Sequence, residues 1–398
     1  MEETGQTGRR SAWIRAVKYA LFLSLSSALL FAVVGEIYVR LSQDEPLPTP
    51  EELRRRSLRY EPAVFARHVL AREKVEAHGW NGARWQINEL GYRGRAFRPD
   101  KQAGTYRIVF YGGSSVFDSF ASGKDDWPHR VERWLRAHGR ESVEVINAGV
   151  PGHASFDALG RLFAEGHRFE PDCVVLYAAW NDIKTFRSSE PLLRQIAPWS
   201  EGLDPRIHYT GELDRGLCQL SQLYLLLRGW YQRETRGLGE EGRVPGGEPG
   251  DRIQPEALAQ YRLGLEAFAD LARNIGALPV FVLQARLVHP DNTRAQRERI
   301  RLDYVQLTHE ALCRAFAETD RITRLVAAEK GALLIDSTSA MCGQEAFFLD
   351  HVHLNEAGSR RLAELVGEGL VSELKNKTHS PDAQGGGNPY SSANASLK

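Results

Sequence analysis

The stretch FYGGSSVFDSF, Phe110–Phe120, begins inside an apolar run, Ile108-Val109-Phe110-Tyr111, that stops at two glycines and two serines. A chain that only needs to turn has Asn-Gly or Pro-Gly at its disposal. Two glycines followed by hydroxyls point instead to backbone passing close to another group, or to a serine held in a tight bend. A phosphate-binding loop is the competing reading. The stretch lacks the Lys-Ser/Thr of a Walker loop and the Gly-x-Gly-x-x-Gly of a dinucleotide site.

Outward from that stretch, short apolar runs recur at Arg107–Tyr111, Val143–Ile146, Cys173–Ala178, Leu278–Leu283 and Ala332–Ile335. Each has strand length and almost no polar interruption, the pattern of strands covered on both faces. Helical patterns fill the gaps at Pro128–His138, Asp157–Phe169, Pro255–Asn274 and Ala295–Lys330, the last being long enough for more than one helix. Strands alternating with helices predict an α/β protein, a parallel sheet of five strands with helices on both faces. One interruption, residues 183–254, carries the apolar stretch LCQLSQLYLLLRGWY and the Gly-rich loop GLGEEGRVPGGEPGD. We expect it to form a lid or a wall of the site.

The chain has 398 residues, 42% of them hydrophobic, so a large core is available. Lysine plus arginine and aspartate plus glutamate balance at 51 each, and a chain without basic excess is a poor nucleic-acid binder. The four cysteines, Cys173, Cys218, Cys313 and Cys342, show no metal-ligand spacing. Cys173 reads as a small buried hydrophobe. Tyr19–Val34 is free of charge, and up to Val39 only Glu36 interrupts the apolar run, enough to cross a bilayer. Arg9, Arg10, Arg15 and Lys18 precede it, which keeps the N-terminus cytoplasmic, although Arg40 and Arg54-Arg55-Arg56 follow it. A cleaved signal peptide is the alternative, but no small-x-small site stands near Val34-Gly35-Glu36. We therefore expect a cytoplasmic segment (1–18), a membrane anchor (19–39), a linker and extended lead-in (40–104), a main domain (105–375) and a disordered tail (376–398). The main domain would lie outside the cytoplasm, periplasmic or extracellular.

In a parallel α/β sheet, ligands gather at the carboxyl ends of the strands. Ser114 follows the first strand there. The second strand runs into NAGVPGHAS, where Gly152 offers a backbone N–H, and the third into AAWND, where Asn181 offers a side-chain amide suited to a developing oxyanion. Near the C-terminus, FLDHVHLNEAG places Asp350 three residues before His353. That spacing lets a carboxylate hold one imidazole nitrogen while the other takes a serine proton.

These blocks, in this order, resemble those of the SGNH hydrolases, the GDSL-like esterase/lipase family, over residues 105–372. The stretch INELGYRGRAF looks like the lead-in of membrane-anchored members. The resemblance implies a flavodoxin-like three-layer α/β/α fold with Ser114 as nucleophile, His353 as base and Asp350 orienting it. The oxyanion donors would be the Ser114 and Gly152 amides and Asn181. It calls for no metal and no cofactor. It implies esterase activity through an acyl-serine, with a small-molecule, glycan or lipid ester as substrate. An O-acyltransferase using the same triad is an alternative, as is a non-catalytic membrane-anchored scaffold on the same fold. Ala179 stands where the family usually has glycine, and bulky Trp180 beside it is expected to narrow the pocket; Val116 and Phe117 are expected to reshape its floor. Ser115 is the rival nucleophile. Gln284 and Arg286, after the fourth strand, are candidate substrate contacts, with a surface salt bridge the alternative for Arg286. His351 is expected on the rim, Asp182 and Asp336 in structural roles, and Asn355 as the N-cap of a last helix striped by Leu362, Leu365, Val366 and Leu370.

Overall fold

The computed structural model describes residues 3–43, 45–78, 83–123, 125–195, 208–236 and 248–377. In chain order, α1 (Glu3–Ser42) and α2 (Pro50–Arg56) come first. Two antiparallel hairpins follow, β1 (Tyr60–Pro62) with β2 (His68–Leu70), and β3 (Val75–His78) with β4 (Arg84–Ile87). Then come β5 (Tyr106–Gly112), α3 (Ser114–Phe117), α4 (Trp127–Ala137), β6 (Val143–Gly149), α5 (Ser155–Glu165), β7 (Cys173–Tyr177), α6 (Trp180–Ile183) and α7 (Leu192–Gln195). Helices α8 (Glu212–Leu220) and α9 (Gln222–Arg236) lie in the interruption. The chain closes with α10 (Pro255–Asn274), β8 (Leu278–Val282), α11 (Arg294–Glu298), α12 (Leu302–Val305), α13 (His309–Lys330), β9 (Leu333–Ile335), α14 (Thr338–Met341) and α15 (Glu356–Lys377).

The main sheet has five parallel strands in the order β6-β5-β7-β8-β9. This is the three-layer α/β/α arrangement that strand–helix alternation predicts. Because side chains alternate across a strand, Ile108 and Phe110 enter one core with Trp127, Val131 and Leu135 of α4 and Leu362, Val366 and Leu370 of α15. Val109 and Tyr111 enter the other, with Ala158 and Leu162 of α5, Phe268 of α10 and Leu312 and Phe316 of α13. Local side chains and a glycine set the ends of the helices. Asp126 accepts the His129 amide at the start of α4, Thr308 accepts the Ala311 amide at the start of α13, and Gly331 ends α13 at φ +57°. The run Ala295–Lys330 divides into three helices.

Two units can be separated. The first comprises residues 1–56 and 202–243, the second residues 57–201 and 244–398. In the first, Arg15–Ser42 of α1 is long and apolar enough to cross a membrane. The helix extends past the apolar run at both ends, since the flanking residues continue it without a proline. In the second unit, the lead-in is not simply extended: it pairs with itself. The alternation in Arg84-Trp85-Gln86-Ile87 turns Trp85 and Ile87 inward, against Phe117 and Val150. Arg93 then bridges to Asn147 on the edge strand β6. The expected tail beyond Lys377, and most of the Gly-rich loop, lie outside the described residues. All four cysteines are free thiols.

A Cβ on Gly149, at the end of β6, would sit 2.3 Å from the Phe117 amide nitrogen and 2.8 Å from the Val116 carbonyl carbon. Backbone cannot yield as a side chain does, so Gly149→Ala is expected to cost at least about 1–3 kcal/mol. A urea midpoint equal to wild type would show that α3 can move away from β6.

Candidate active site

Strand β5 ends at Gly112, and Ser114 opens α3 at the carboxyl edge of the sheet. A Cβ on Gly112 would lie 2.3 Å from the Tyr177 carbonyl oxygen. One on Gly113 would lie 2.7 Å from both Asn181 Nδ2 and the His153 carbonyl oxygen. The two glycines therefore let the ends of three strands meet. Ser115 turns inward: its hydroxyl accepts from Gln284 Nε2 at 3.1 Å and its carbonyl from Trp127 Nε1 at 2.7 Å. Ser114, which is less buried, faces the imidazole of His353, with Oγ 2.8 Å from Nε2.

The other nitrogen of that ring, Nδ1, lies 2.6 Å from Asp350 Oδ2. Asp350 Oδ1 accepts the amides of Val352 at 2.9 Å and His353 at 2.8 Å, which folds the loop into a tight turn. Burial works against the Asp350 charge. The nearby imidazoles of His353 and His351 and the hydrogen bonds from His353 outweigh it, and hold the carboxyl well below the usual carboxylate range. An ionised carboxylate only accepts, so Nδ1 carries the proton and Nε2 is left with a lone pair toward Ser114 Oγ. An imidazole held this way can take the serine proton. Asn355 Oδ1 accepts the Gly358 amide at 2.9 Å and so caps α15 directly behind His353.

The loop that follows β6 is fixed by the lead-in. Pro151, Gly152 and His153 have their carbonyls taken in turn: by His68 Nε2 at 3.0 Å, by Arg67 Nη2, and by Asn181 Nδ2 at 2.9 Å. Gly152 adopts φ +87°, a left-handed conformation that suits glycine. Among the described residues, the amides of Ser114 and Gly152 donate to none of the others. Arg67 also grips the fully buried Asp157 of α5, Nη2 to Oδ2 at 2.6 Å. His153 donates to the His68 carbonyl at 2.6 Å, and burial pushes its pKa down to about 3, so the ring is neutral. Arg93, itself buried, donates to the carbonyls of Phe117, Asp118 and Ala121 and secures the turn after α3. Nothing in the local sequence around Arg67-His68 signals this role. INELGYRGRAF did single out the stretch holding Arg93.

Several expectations need correction. Gln284 is buried, with Oε1 accepting the Trp180 amide at 2.7 Å and Nε2 occupied by Ser115. Arg286 is buried too, bound to Asp320 at 2.6 Å and lying over the Phe316 ring. Both spend their polar groups on scaffold contacts, not on a ligand. His351 is not on the rim: it is 1% exposed, 4.0 Å from the Trp180 ring, because the Asp350 turn directs it into the core. Trp180 packs between His351 and Tyr304 and is 3% exposed, so it does not narrow a pocket. Val116 and Phe117 likewise face the cores. Asp182 and Asp336, by contrast, make structural contacts as expected: Asp182 binds the Ser155 hydroxyl at 2.6 Å and Asp336 binds Thr338 and Arg324. A cavity of about 630 Å³ lined by Arg95, Arg98, Arg107, Arg136 and Glu144 opens at the amino ends of β5 and β6, away from Ser114.

A parallel sheet with a serine, an imidazole and a carboxylate in hydrogen-bonded series at its carboxyl edge is an arrangement able to support ester hydrolysis. The GDSL-like lipase/acylhydrolase family model matches residues 110–361, and the chain belongs to that family of ester hydrolases. Comparison with curated proteins finds no match. Among solved structures it is similar to TesA, with 17% identity and a TM-score of 0.38 over 66% of this chain and 97% of that one. It is also similar to a variant of Axe2, an acetyl xylan esterase from Geobacillus stearothermophilus, with 14% identity and a TM-score of 0.40 over 69% and 97%. A third is LAE5, an α/β hydrolase enzyme from the metagenome of Lake Arreo, with 14% identity and a TM-score of 0.39 over 68% and 96%.

Removing Arg67 would leave the Asp157 carboxylate buried without its cation. Arg67→Ala is expected to cost about 3–5 kcal/mol in urea unfolding, and a loss below about 1 kcal/mol would rank this pair with ordinary surface bridges. Asp182 gives a pH test. Burial pushes it up from the ordinary 3.8 to about 6, against the bonds from Ser155. The folded chain then binds this proton more tightly than the unfolded one, so the group lowers stability as pH rises from about 4 to about 6. Asp182→Asn lacks that titration, so its stability relative to wild type should rise between pH 4 and 7, by about 3 kcal/mol at most. A difference that stays flat with pH would contradict the assignment.

Proposed function

We propose that the protein is a serine esterase acting on O-acyl, O-acetyl or lipid esters outside the cytoplasm, through Ser114, His353 and Asp350. The observation that carries this reading is the His353 ring, 2.8 Å from Ser114 Oγ and 2.6 Å from Asp350 Oδ2, with the serine 239 residues away in sequence. In the proposed mechanism, Ser114 Oγ attacks the ester carbonyl carbon while its proton passes to His353 Nε2. The carbonyl oxygen becomes an oxyanion, received by the amides of Ser114 and Gly152 and by Asn181 Nδ2. The tetrahedral adduct collapses, the C–O bond to the alcohol breaks, and His353 returns the proton to the leaving oxygen. Water then attacks the acyl-serine, giving its proton to His353, and the acid departs as Ser114 recovers the proton. Asp350 stabilises the imidazolium at both stages.

The location outside the cytoplasm is supported by the apolar Arg15–Ser42 segment and by the cluster of arginines and lysine that precedes Tyr19. A membrane-tethered enzyme in that position meets envelope glycans and lipids, and an O-acetylated polymer is the substrate class we favour.

Release of p-nitrophenol from short-chain acyl esters tests the chemistry. Ser114→Ala and His353→Ala are expected to abolish turnover, and Asn181→Ala to lower kcat by about 10²–10³. Activity persisting in Ser114→Ala would sink the assignment. Negligible rates in wild type and variant alike would direct weight to an acyltransferase that requires its own acceptor.

A further inference from the structure

Helices α8 and α9 bury a charged group while exposing large apolar side chains. Asp214 is buried, bound by Arg228 Nε at 2.9 Å and by the Tyr224 hydroxyl at 2.9 Å. On α9, Leu226, Leu227, Trp230 and Tyr231 are 38–58% exposed, and on α8, Leu213 and Leu220 are 77% and 75% exposed. The four α9 residues recur at one-, four- and five-residue steps and therefore form one stripe along the helix.

The same hairpin is fastened to α1, with which it forms one unit. Glu36, the one acidic residue in the apolar run, receives the N-terminus of α9. It accepts the amides of Gln222 at 3.0 Å and Leu223 at 2.9 Å and the Ser221 hydroxyl at 2.8 Å. Arg40 adds a bond at 2.6 Å on the same carboxylate. A helix N-terminus is where a carboxylate near hydrocarbon finds the donors it needs. A Cβ on neighbouring Gly35 would sit 2.9 Å from Leu223 Cδ2, so the two helices touch closely there. Over residues 15–42 only Gly35, Glu36 and Val39 are shielded, so α9 crosses α1 at one place rather than lying along it. From Lys18 to Glu36 the helix rises about 27 Å, close to the ~30 Å of a bilayer's hydrocarbon. The crossing thus falls at the level where α1 leaves the membrane.

We propose that α8–α9 is an interfacial membrane-binding hairpin, its Leu226-Leu227-Trp230-Tyr231 stripe resting in the headgroup and upper acyl region of the leaflet from which α1 emerges. The proposal rests on α1 spanning the bilayer. Aromatic residues beside leucine on an exposed helix face are the composition that this zone selects.

The test uses the full chain in phosphatidylcholine–phosphatidylglycerol vesicles, with and without brominated acyl chains, for wild type and Trp230→Phe. Flotation with vesicles after an alkaline wash reports the anchor. Quenching of tryptophan emission by brominated lipid reports the hairpin. The expected result is a chain that floats and a lipid-quenched emission that drops in Trp230→Phe, with turnover of a soluble ester unchanged as the control for folding. A chain that floats with the same quenched emission in both forms overturns the hairpin proposal alone, and cross-linking at the stripe would then reveal a second copy or another protein covering it. A chain that washes off the vesicles overturns the anchor, and the hairpin with it.

Discussion

Gly112 and Gly113 have no room for a side chain, and the carboxyl edge of the sheet is arranged around that fact. Two neighbouring strand ends press on them: β7, through the Tyr177 carbonyl and through the Asn181 amide of α6 just beyond it, and β6, through the His153 carbonyl of the loop that follows it. A methyl group at either glycine would meet these atoms at 2.3–2.7 Å, inside van der Waals contact, and push them apart. With the glycines in place, Asn181 Nδ2 bonds the His153 carbonyl at 2.9 Å. The next residue, Ser114, then starts α3 with its hydroxyl at the edge.

What holds the converging loops is mostly buried polar chemistry supplied from outside the sheet. Three consecutive carbonyls, of residues 151 to 153, are each taken by a different side chain, and Asp157 anchors the arginine that takes one of them. Arg93 does the same for the carbonyls after α3. Unmet carbonyls in such a setting would cost about 1–3 kcal/mol each, so these arginines stabilise by preventing a loss more than by adding an attraction. The lead-in hairpins are in this sense part of the hydrolase body, although the family match begins only at residue 110.

The sheet was legible because its strands are nearly continuous apolar runs, a signal that tertiary context strengthens. The four blocks were legible because each sits at a strand end or just before the last helix, where the fold itself dictates what the residues face. Legibility failed where a side chain's direction depends on partners distant in sequence. Gln284 and Arg286 occupy the active edge but turn to Ser115 and Asp320. His351 follows Asp350 directly, yet the turn that presents His353 sends it inward against Trp180. Arg67 and His68 lie in a segment with no periodicity, and only the loop they grip, some 85 residues later, reveals their use. The self-pairing of the lead-in was missed for a related reason: strands of three or four residues leave too short a pattern to distinguish from extended coil.

The distance in sequence between Ser114 and His353 has a consequence for the order of events during synthesis. Chains emerge N-terminus first, so the lead-in and the serine are made well before the loop that carries Asp350 and His353, and α15, which fixes that loop from behind, comes later still. Until that last helix docks, Ser114 has no imidazole beside it. The hydrogen-bonded series at the carboxyl edge is therefore completed only once nearly all of the chain has folded, and the hydrolytic role proposed for it could begin no earlier.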